Sequence, residues 1–140
     1  MQPKKFLMTA NLEYNTHSME TFINLIETVI DRLTKNKSIR FFLKIAVNEL
    51  VVNAIEHGYS KQGGTISVCL QSNHDSIILD VSDQGTGVQP ELLILEKPVE
   101  SIEDLTERGW GLSILKKVSS NMRITANKPT GTVVSLTMTL

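Results

Sequence analysis

A long helical segment that is apolar on almost every side constrains this chain more than any other feature. Such a helix is buried on most of its surface, so the remaining elements have to cover it. Gly58 predicts where the helix ends. The segment spans residues 39–57, and its large apolar side chains are Phe41, Phe42, Leu43, Ile45, Val47, Leu50, Val51, Val52 and Ile55.

Three of the polar side chains in this helix recur at a regular spacing. Glu49, Asn53 and His57 follow one another at intervals of four residues, which places them along one edge of a helix. Polar groups in such a position need partners or solvent. A cleft that holds a metal and a polyanion would provide them, because a carboxylate can accept a proton and an amide oxygen can ligate Mg²⁺. An ordinary solvated stripe on a surface helix is the alternative explanation of the triplet, because such triplets are common.

The remaining periodicity predicts the fold. Residues 18–35 form a second amphipathic helix, with Ser18 as its N-cap, and residues 111–120 form a third. The strands arrive in hairpins, which is typical of an α+β two-layer sandwich with a mixed, mostly antiparallel sheet and helices on one face. We expect a single domain over residues 1–140. The predicted strands are 6–12, 66–70, 77–81, 123–126 and 132–140.

A first glycine motif follows a predicted strand. In Asp83-Gln84-Gly85-Thr86-Gly87, the aspartate can present its carboxylate to a pocket, and the glycines let the backbone approach a flat ligand. A plain Asp-x-Gly turn is the alternative. A calcium loop is a poorer explanation, because its other oxygen ligands are missing. Residues 84–108 then form a connection that is long enough to predict a function of its own.

A second glycine motif, Gly109-Trp110-Gly111-Leu112, precedes the third predicted helix. The N–H groups and the dipole at a helix N-terminus bind phosphates, and the adjacent Arg108 could pair with a terminal phosphate. A tight junction between loop and helix is the alternative. The motif is neither a P-loop, since no Gly-Lys-Ser/Thr follows, nor a dinucleotide fingerprint, since no strand leads directly into it.

The motifs together resemble those of the gyrase, histidine kinase and MutL ATPase superfamily. Residues 48–59, Asn-Glu-Leu-Val-Val-Asn-Ala-Ile-Glu-His-Gly-Tyr, resemble its N-box. Residues 83–87 and 109–112 resemble its two glycine boxes, and Gly131-Thr132 resembles its closing Gly-Thr. The extended N-box, the short lid with prolines and the single ATPase domain without a phosphorylatable dimerisation helix are most similar to the bacterial anti-sigma-factor serine kinases.

The resemblance implies a role for each candidate residue. Asn53 would ligate Mg²⁺, Glu49 would be the general base, and Arg108 would neutralise the γ-phosphate of ATP. Residues 84–108 would form the ATP lid. Asp83 would bond the adenine amino group. Gly85 and Gly87 would line the base pocket. Gly109, Gly111 and Leu112 would contact the phosphates. Thr132 would reach adenine through water, and His57 would lie at the helix end.

The implied function is an ATP-Mg²⁺-dependent serine/threonine kinase that acts as an anti-sigma factor. It would hold a sigma factor and phosphorylate a small serine-bearing antagonist, as a homodimer. A nucleotide-gated binding module without kinase activity and a detached histidine-kinase ATPase domain are the alternatives. The net charge of −1 and the absence of an apolar run of about 20 residues predict neither nucleic-acid nor membrane binding. The single Cys69 fits a cytoplasmic location.

Overall fold

A computed structural model describes residues 4–14, 16–59, 62–85, 115, 117–127 and 130–140, with the main chain alone at 57–58. Along the chain, a first strand is followed by two helices, a π-helical turn and two hairpins. They are β1 (Lys4–Leu12), α1 (His17–Leu33), α2 (Lys37–Asn53), the π turn (Ala54–Gly58), β2 (Gly64–Ser72), β3 (Ser76–Asp83), β4 (Asn121–Ala126) and β5 (Thr132–Thr139). In the predicted third helix, the described residues Leu115, Lys117 and Val118 are helical, whereas Ser119 and Ser120 are not, so the helix ends before the predicted residue 120.

The strands form one five-stranded sheet in the order β1-β2-β3-β5-β4. Each of the four pairings among these described strands is antiparallel. Buried residues alternate along β2 and β3, so one face of the sheet is covered and the other is partly exposed. The predicted α+β sandwich, with helices against one face of the sheet, is confirmed.

Helix α1 begins earlier than predicted. Its N-cap is Thr16, not Ser18, because Thr16 has the extended backbone of a cap residue (φ −122°, ψ 170°) and Ser18 is already helical. The Thr16 hydroxyl bonds the Glu13 carbonyl and the Ser18 hydroxyl instead of an amide in the first turn. The helix ends at Leu33, and its apolar stripe packs into the core through Met19, Phe22, Ile23, Ile26 and Ile30.

Helix α2 is less completely buried than predicted. It begins at Lys37 because Asn36 caps it by accepting a hydrogen bond from the Ile39 amide at 3.1 Å. Phe41 and Ile45 remain 69% and 44% exposed, so the expectation of burial around most of the helix is wrong on that side. The buried side chains recur at helical spacing and form one stripe: Ile39, Phe42, Leu43, Ala46, Val47, Leu50 and Val51.

Two substitutions in α2 test this division of its surface. Leu43 is 0% exposed, so Leu43→Ala leaves a cavity and should lower the free energy of unfolding by about 2–5 kcal/mol. Phe41→Ala, on the exposed side of the same helix, should change it by no more than about 0.5 kcal/mol. Urea denaturation of both variants measures the difference. Similar losses for the two variants would contradict the described packing of α2.

Candidate functional site

The last turns of α2 carry the first pair of candidate residues. Glu49 and Asn53 are half-buried, and Asn53 Nδ2 donates a hydrogen bond to Glu49 Oε1 at 3.3 Å. A carboxylate only accepts hydrogen bonds, so the amide nitrogen has to face Glu49, and this orientation directs Asn53 Oδ1 away from it. The pair therefore presents a neutral amide oxygen, which is a suitable ligand for a hard cation, next to a carboxylate.

A π-helical turn follows Asn53 directly. Residues Ala54–Gly58 form it, and the Tyr59 amide closes it by bonding the Ala54 carbonyl at 3.1 Å. The wider turn changes the direction in which later side chains leave the helix, so the α-helical spacing that grouped His57 with Glu49 and Asn53 does not extend to it. The His57 side chain itself lies outside the described residues. Single π turns within helices are frequent at functional sites.

Asp83 is the second candidate, and it lies on the helix-covered face of the sheet. It is the last residue of β3, pairs with Ile66 of β2 and is only 6% exposed. Its carboxylate accepts a hydrogen bond from the Gly85 amide at 2.9 Å and another from the Thr132 amide. Burial raises the pKa of Asp83 above its ordinary value of 3.8, and the two amide bonds act in the opposite direction.

The turn between β4 and β5 holds the loop that follows Asp83. Asn127 Nδ2 donates to the Asp83 carbonyl at 2.8 Å, and Thr130 Oγ1 donates to the Gln84 carbonyl at 3.1 Å. Gly131 has a φ of 108°, and a Cβ at this position would overlap the Asp83 carbonyl oxygen. Glycine is therefore required there, both for its backbone conformation and for the close approach of the two chains.

Tyr59 holds the same loop from the other side. Its hydroxyl accepts a hydrogen bond from the Gln84 amide at 2.8 Å and donates one to the Thr65 carbonyl at 2.7 Å. Sequence reasoning assigned no role to Tyr59, Asn127 or Thr130. Tyr59 is the last residue of the segment that resembles the N-box, and this position is the sequence signal that could have marked it. The sequence does not mark Asn127 and Thr130 as partners of this loop, because the β4–β5 turn brings them to it only in the folded chain.

The structure brings some of the candidate residues together. Both α2 and the π turn pack against β3, the strand that ends at Asp83, and Thr132 lies beside Asp83 on β5. The predicted lid after Gly85 lies outside the described residues. So do the other candidates, which are Gly87, Arg108, Gly109, Gly111 and Leu112. The described part thus contains the acid–amide pair of α2 and the buried carboxylate of β3.

The donor set at the site fits a metal ion that binds together with phosphates. Within the described ranges, no group of three or more His, Cys, Asp and Glu side chains is placed to hold a metal. Mg²⁺ usually takes one or two protein oxygens and completes its shell with phosphate oxygens and water. Asn53 Oδ1 is an oxygen of this kind, and the adjacent Glu49 carboxylate adds negative charge that favours a cation.

Comparison with known families identifies the domain. Residues 13–138 match the model of the histidine kinase-like ATPase domain. The chain belongs to the histidine kinase-like ATPase domain family. The match begins just after β1 and ends within β5, so it includes both described parts of the site.

Curated relatives of this ATPase domain include anti-sigma F factors. The chain is 30% identical over 92 residues to the anti-sigma F factor of Clostridium acetobutylicum, which covers 66% of this chain and 64% of that protein. The match therefore spans less than two thirds of that relative. The anti-sigma F factor of Bacillus licheniformis is 27% identical over 132 residues, which cover 93% of this chain and 85% of the relative.

Solved structures support the same fold. The catalytic domain of the histidine kinase ThkA superposes with a TM-score of 0.52 at 20% identity and covers 96% of this chain and 97% of that one. The histidine kinase domain of the Erythrobacter litoralis blue-light-activated kinase also gives 0.52, at 15% identity, with 86% of this chain and 60% of that one covered.

Among the described helices, none has the length and apolar character of a membrane span.

The burial of Asp83 predicts a pH-dependent stability difference. Because its folded-state pKa is raised, the folded chain binds more protons than the unfolded chain between 3.8 and the raised value. Stability contributed by this group therefore falls as pH rises through that window and stays lower above it. The neutral variant Asp83→Asn should gain free energy of unfolding relative to the parent as pH increases from about 4 to 7. Urea denaturation of the nucleotide-free protein at several pH values measures the difference.

Asp31→Asn is the matched control, because its shift has the opposite sign. The hydrogen bond from Lys44 lowers the pKa of Asp31, whose Oδ1 lies 2.8 Å from Lys44 Nζ. Its stabilising contribution is present above 3.8 and is lost as pH falls through the folded-state pKa. Asp31→Asn should therefore lose stability relative to the parent near neutral pH and not in acid. The same trend with pH in both variants would contradict the assigned environment of Asp83.

Proposed function

We propose that this chain is an ATP-Mg²⁺-binding serine/threonine protein kinase of the anti-sigma-factor type. It would phosphorylate a small antagonist protein and regulate transcription by exchanging partners. The observation that carries the proposal is the hydrogen-bonded pair of Asn53 and Glu49, which places an amide oxygen that can ligate a cation beside a carboxylate that can accept a proton. Membership of the histidine kinase-like ATPase family supports nucleotide binding, and the similarity to anti-sigma F factors supports the anti-sigma role.

Adenine would bind against Asp83. A carboxylate has capacity for about four hydrogen bonds, and the amides of Gly85 and Thr132 account for two of them. The remaining capacity suits the exocyclic amino group of adenine, which is a donor. Gly85 and Gly87 would line the base pocket, and Thr132 would reach the base through water. The buried setting supports selectivity, since a base without that amino group would leave the carboxylate short of a donor.

The phosphates would lie towards the end of α2. Asn53 would hold Mg²⁺, which neutralises charge on the phosphates when bound. Glu49 would accept the proton of the attacking serine hydroxyl, with its position fixed by the bond from Asn53. Arg108 would neutralise the γ-phosphate, and the lid of residues 84–108 would cover the nucleotide. The resemblance of the second glycine motif supports phosphate contacts at Gly109, Gly111 and Leu112, and His57 would support the helix end.

The partners follow from the anti-sigma role. A sigma factor would be held by one surface of the domain, and a small antagonist with an acceptor serine would compete for the domain and be released once phosphorylated. The chain would act as a homodimer in the cytoplasm, without direct contact with nucleic acid or membrane. The similarity to anti-sigma F factors supports a sigma factor as the partner. The resemblance of the sequence motifs supports the antagonist and the homodimer.

Asn53→Ala tests the metal contact. The variant loses the amide oxygen, so Mg²⁺-dependent binding of ATP should fall below detection in calorimetry while the unfolding temperature changes little. Asn48→Ala is the matched control, because it removes the same group from an exposed position of the same helix. Tight ATP-Mg²⁺ binding by Asn53→Ala would show that the metal is held elsewhere.

Glu49→Gln separates catalysis from binding. Glutamine keeps an oxygen that can accept the bond from Asn53 Nδ2 but cannot take a proton at neutral pH. Phosphate transfer should fall about 10²- to 10⁴-fold, and the ATP dissociation constant should stay within a few-fold of the parent. Transfer from radiolabelled ATP to a serine-bearing antagonist measures the rate. Unchanged transfer would remove Glu49 from the mechanism, and an acid-labile product would indicate a phosphohistidine instead.

A further inference from the structure

Tyr59 connects the two described parts of the site. Its backbone amide closes the π turn at the end of the helix that carries Asn53, through the bond to the Ala54 carbonyl. Its hydroxyl binds the Gln84 amide, which is the first peptide after Asp83. A phenol has one proton to donate and lone pairs to accept, so the bonds to the Thr65 carbonyl and from the Gln84 amide are compatible.

The ring of Tyr59 has a fixed place because Gly64 makes room for it. A Cβ at Gly64 would overlap ring atoms Cδ1, Cε1 and Cζ, so the ring lies directly over the start of β2. The hydroxyl then extends past β2 to the loop after β3. The ring packing holds the aromatic body in position, and the two hydrogen bonds are formed by the hydroxyl alone.

The peptide groups after Asp83 are held from two directions. Asn127 and Thr130 bind the carbonyls of Asp83 and Gln84 from the β4–β5 turn. Tyr59 binds the Gln84 amide from the end of the helix. The bonds from the turn fix the loop to the sheet. The bond from Tyr59 relates the loop to the helix with the Glu49–Asn53 pair.

We propose that Tyr59 is a positioning residue for nucleotide selectivity: its hydroxyl sets the Asp83 loop relative to the helix end, so that adenine and the Mg²⁺-bound phosphates are engaged together. The proposal rests on the proposed function, since it assigns a role within the same ATP site. Without the hydroxyl, the ring and the core remain in place, but the peptide at Gln84 loses its tie to the helix. The expected consequence is poorer discrimination of adenine rather than loss of the fold.

Tyr59→Phe tests this role, and Tyr14→Phe is the matched control. Tyr14 is the only other tyrosine of the chain, and its hydroxyl donates to Glu56 Oε1 in the same π turn at 2.9 Å. Both variants thus remove one hydroxyl that bonds near the helix end. Calorimetry with Mg²⁺ gives the dissociation constants of ATP and of inosine triphosphate, which lacks the 6-amino group, for the parent and for each variant.

Tyr59→Phe should weaken ATP binding about 3- to 10-fold, as expected for one lost hydrogen bond, and should lower the preference for ATP over inosine triphosphate by a similar factor. Tyr14→Phe should leave that preference unchanged. In an Asp83→Asn background, Tyr59→Phe should no longer alter the preference, because its effect acts through the Asp83 loop. In the nucleotide-free protein, hydrogen exchange of the Gln84 amide should be faster in Tyr59→Phe than in the parent, and it should be unchanged in Tyr14→Phe.

The outcomes separate the two proposals. A parent protein that does not bind ATP-Mg²⁺ would overturn the proposed function and this inference with it. A parent that binds ATP, with a Tyr59→Phe variant whose preference for ATP over inosine triphosphate is the same as that of the parent, would overturn only the role of Tyr59. Equal loss of preference in Tyr14→Phe would also overturn it, because the effect would then come from the π turn in general.

Discussion

The burial of one carboxyl group sets the structure around the candidate nucleotide pocket. Asp83 continues the buried row of β3 after Ile77, Leu79 and Val81, so a charged side chain occupies a position where the pattern places apolar ones. A buried carboxylate is stable only with hydrogen-bond donors around it. The chain provides them from the backbone, through the amides of Gly85 and Thr132. The loop has to turn back sharply to do so, and the strand beside it has to approach closely, which accounts for Gly131.

Helix α2 combines the core and the site within one element. Its buried stripe anchors the helix against the sheet and fixes the position of its C-terminal end, where Glu49 and Asn53 lie. The π turn then lets the chain leave the helix while Ala54 and Ile55 remain in the core. Packing thus holds the acid–amide pair in a fixed place, and such preorganisation would suit the proposed phosphate transfer, because that chemistry depends on positioning and charge.

Periodicity alone predicted most of the described fold, because burial imposes a period of two on strands and of about 3.6 on helices. The strands were found within a few residues of the predicted runs. The turn between β2 and β3 is closed by the Asn73 side chain, whose Oδ1 accepts hydrogen bonds from the Asp75 and Ser76 amides. The N-cap of α1 was placed at Ser18 instead of Thr16, because both are good cap residues and only the backbone distinguishes them. The exposure of Phe41 and Ile45 was missed, because apolar character does not show which side of a helix is covered.

The connections of the site were beyond prediction for a different reason. Asn53 stood out as a polar residue in an apolar helix, and Asp83 stood out as the start of a glycine motif after a strand; both are local signals. The bonds of Gln84 to Tyr59 and Thr130 join residues 25 and 46 positions apart, so they exist only once the sheet and the π turn are formed. Burial raises the pKa of Asp83 although the Gly85 and Thr132 amides act in the opposite direction, so these two amide bonds do not fully replace the lost hydration. A ligand donor at this carboxylate would therefore relieve a deficit that the fold leaves, and the same burial that weakens the free domain would favour the bound one.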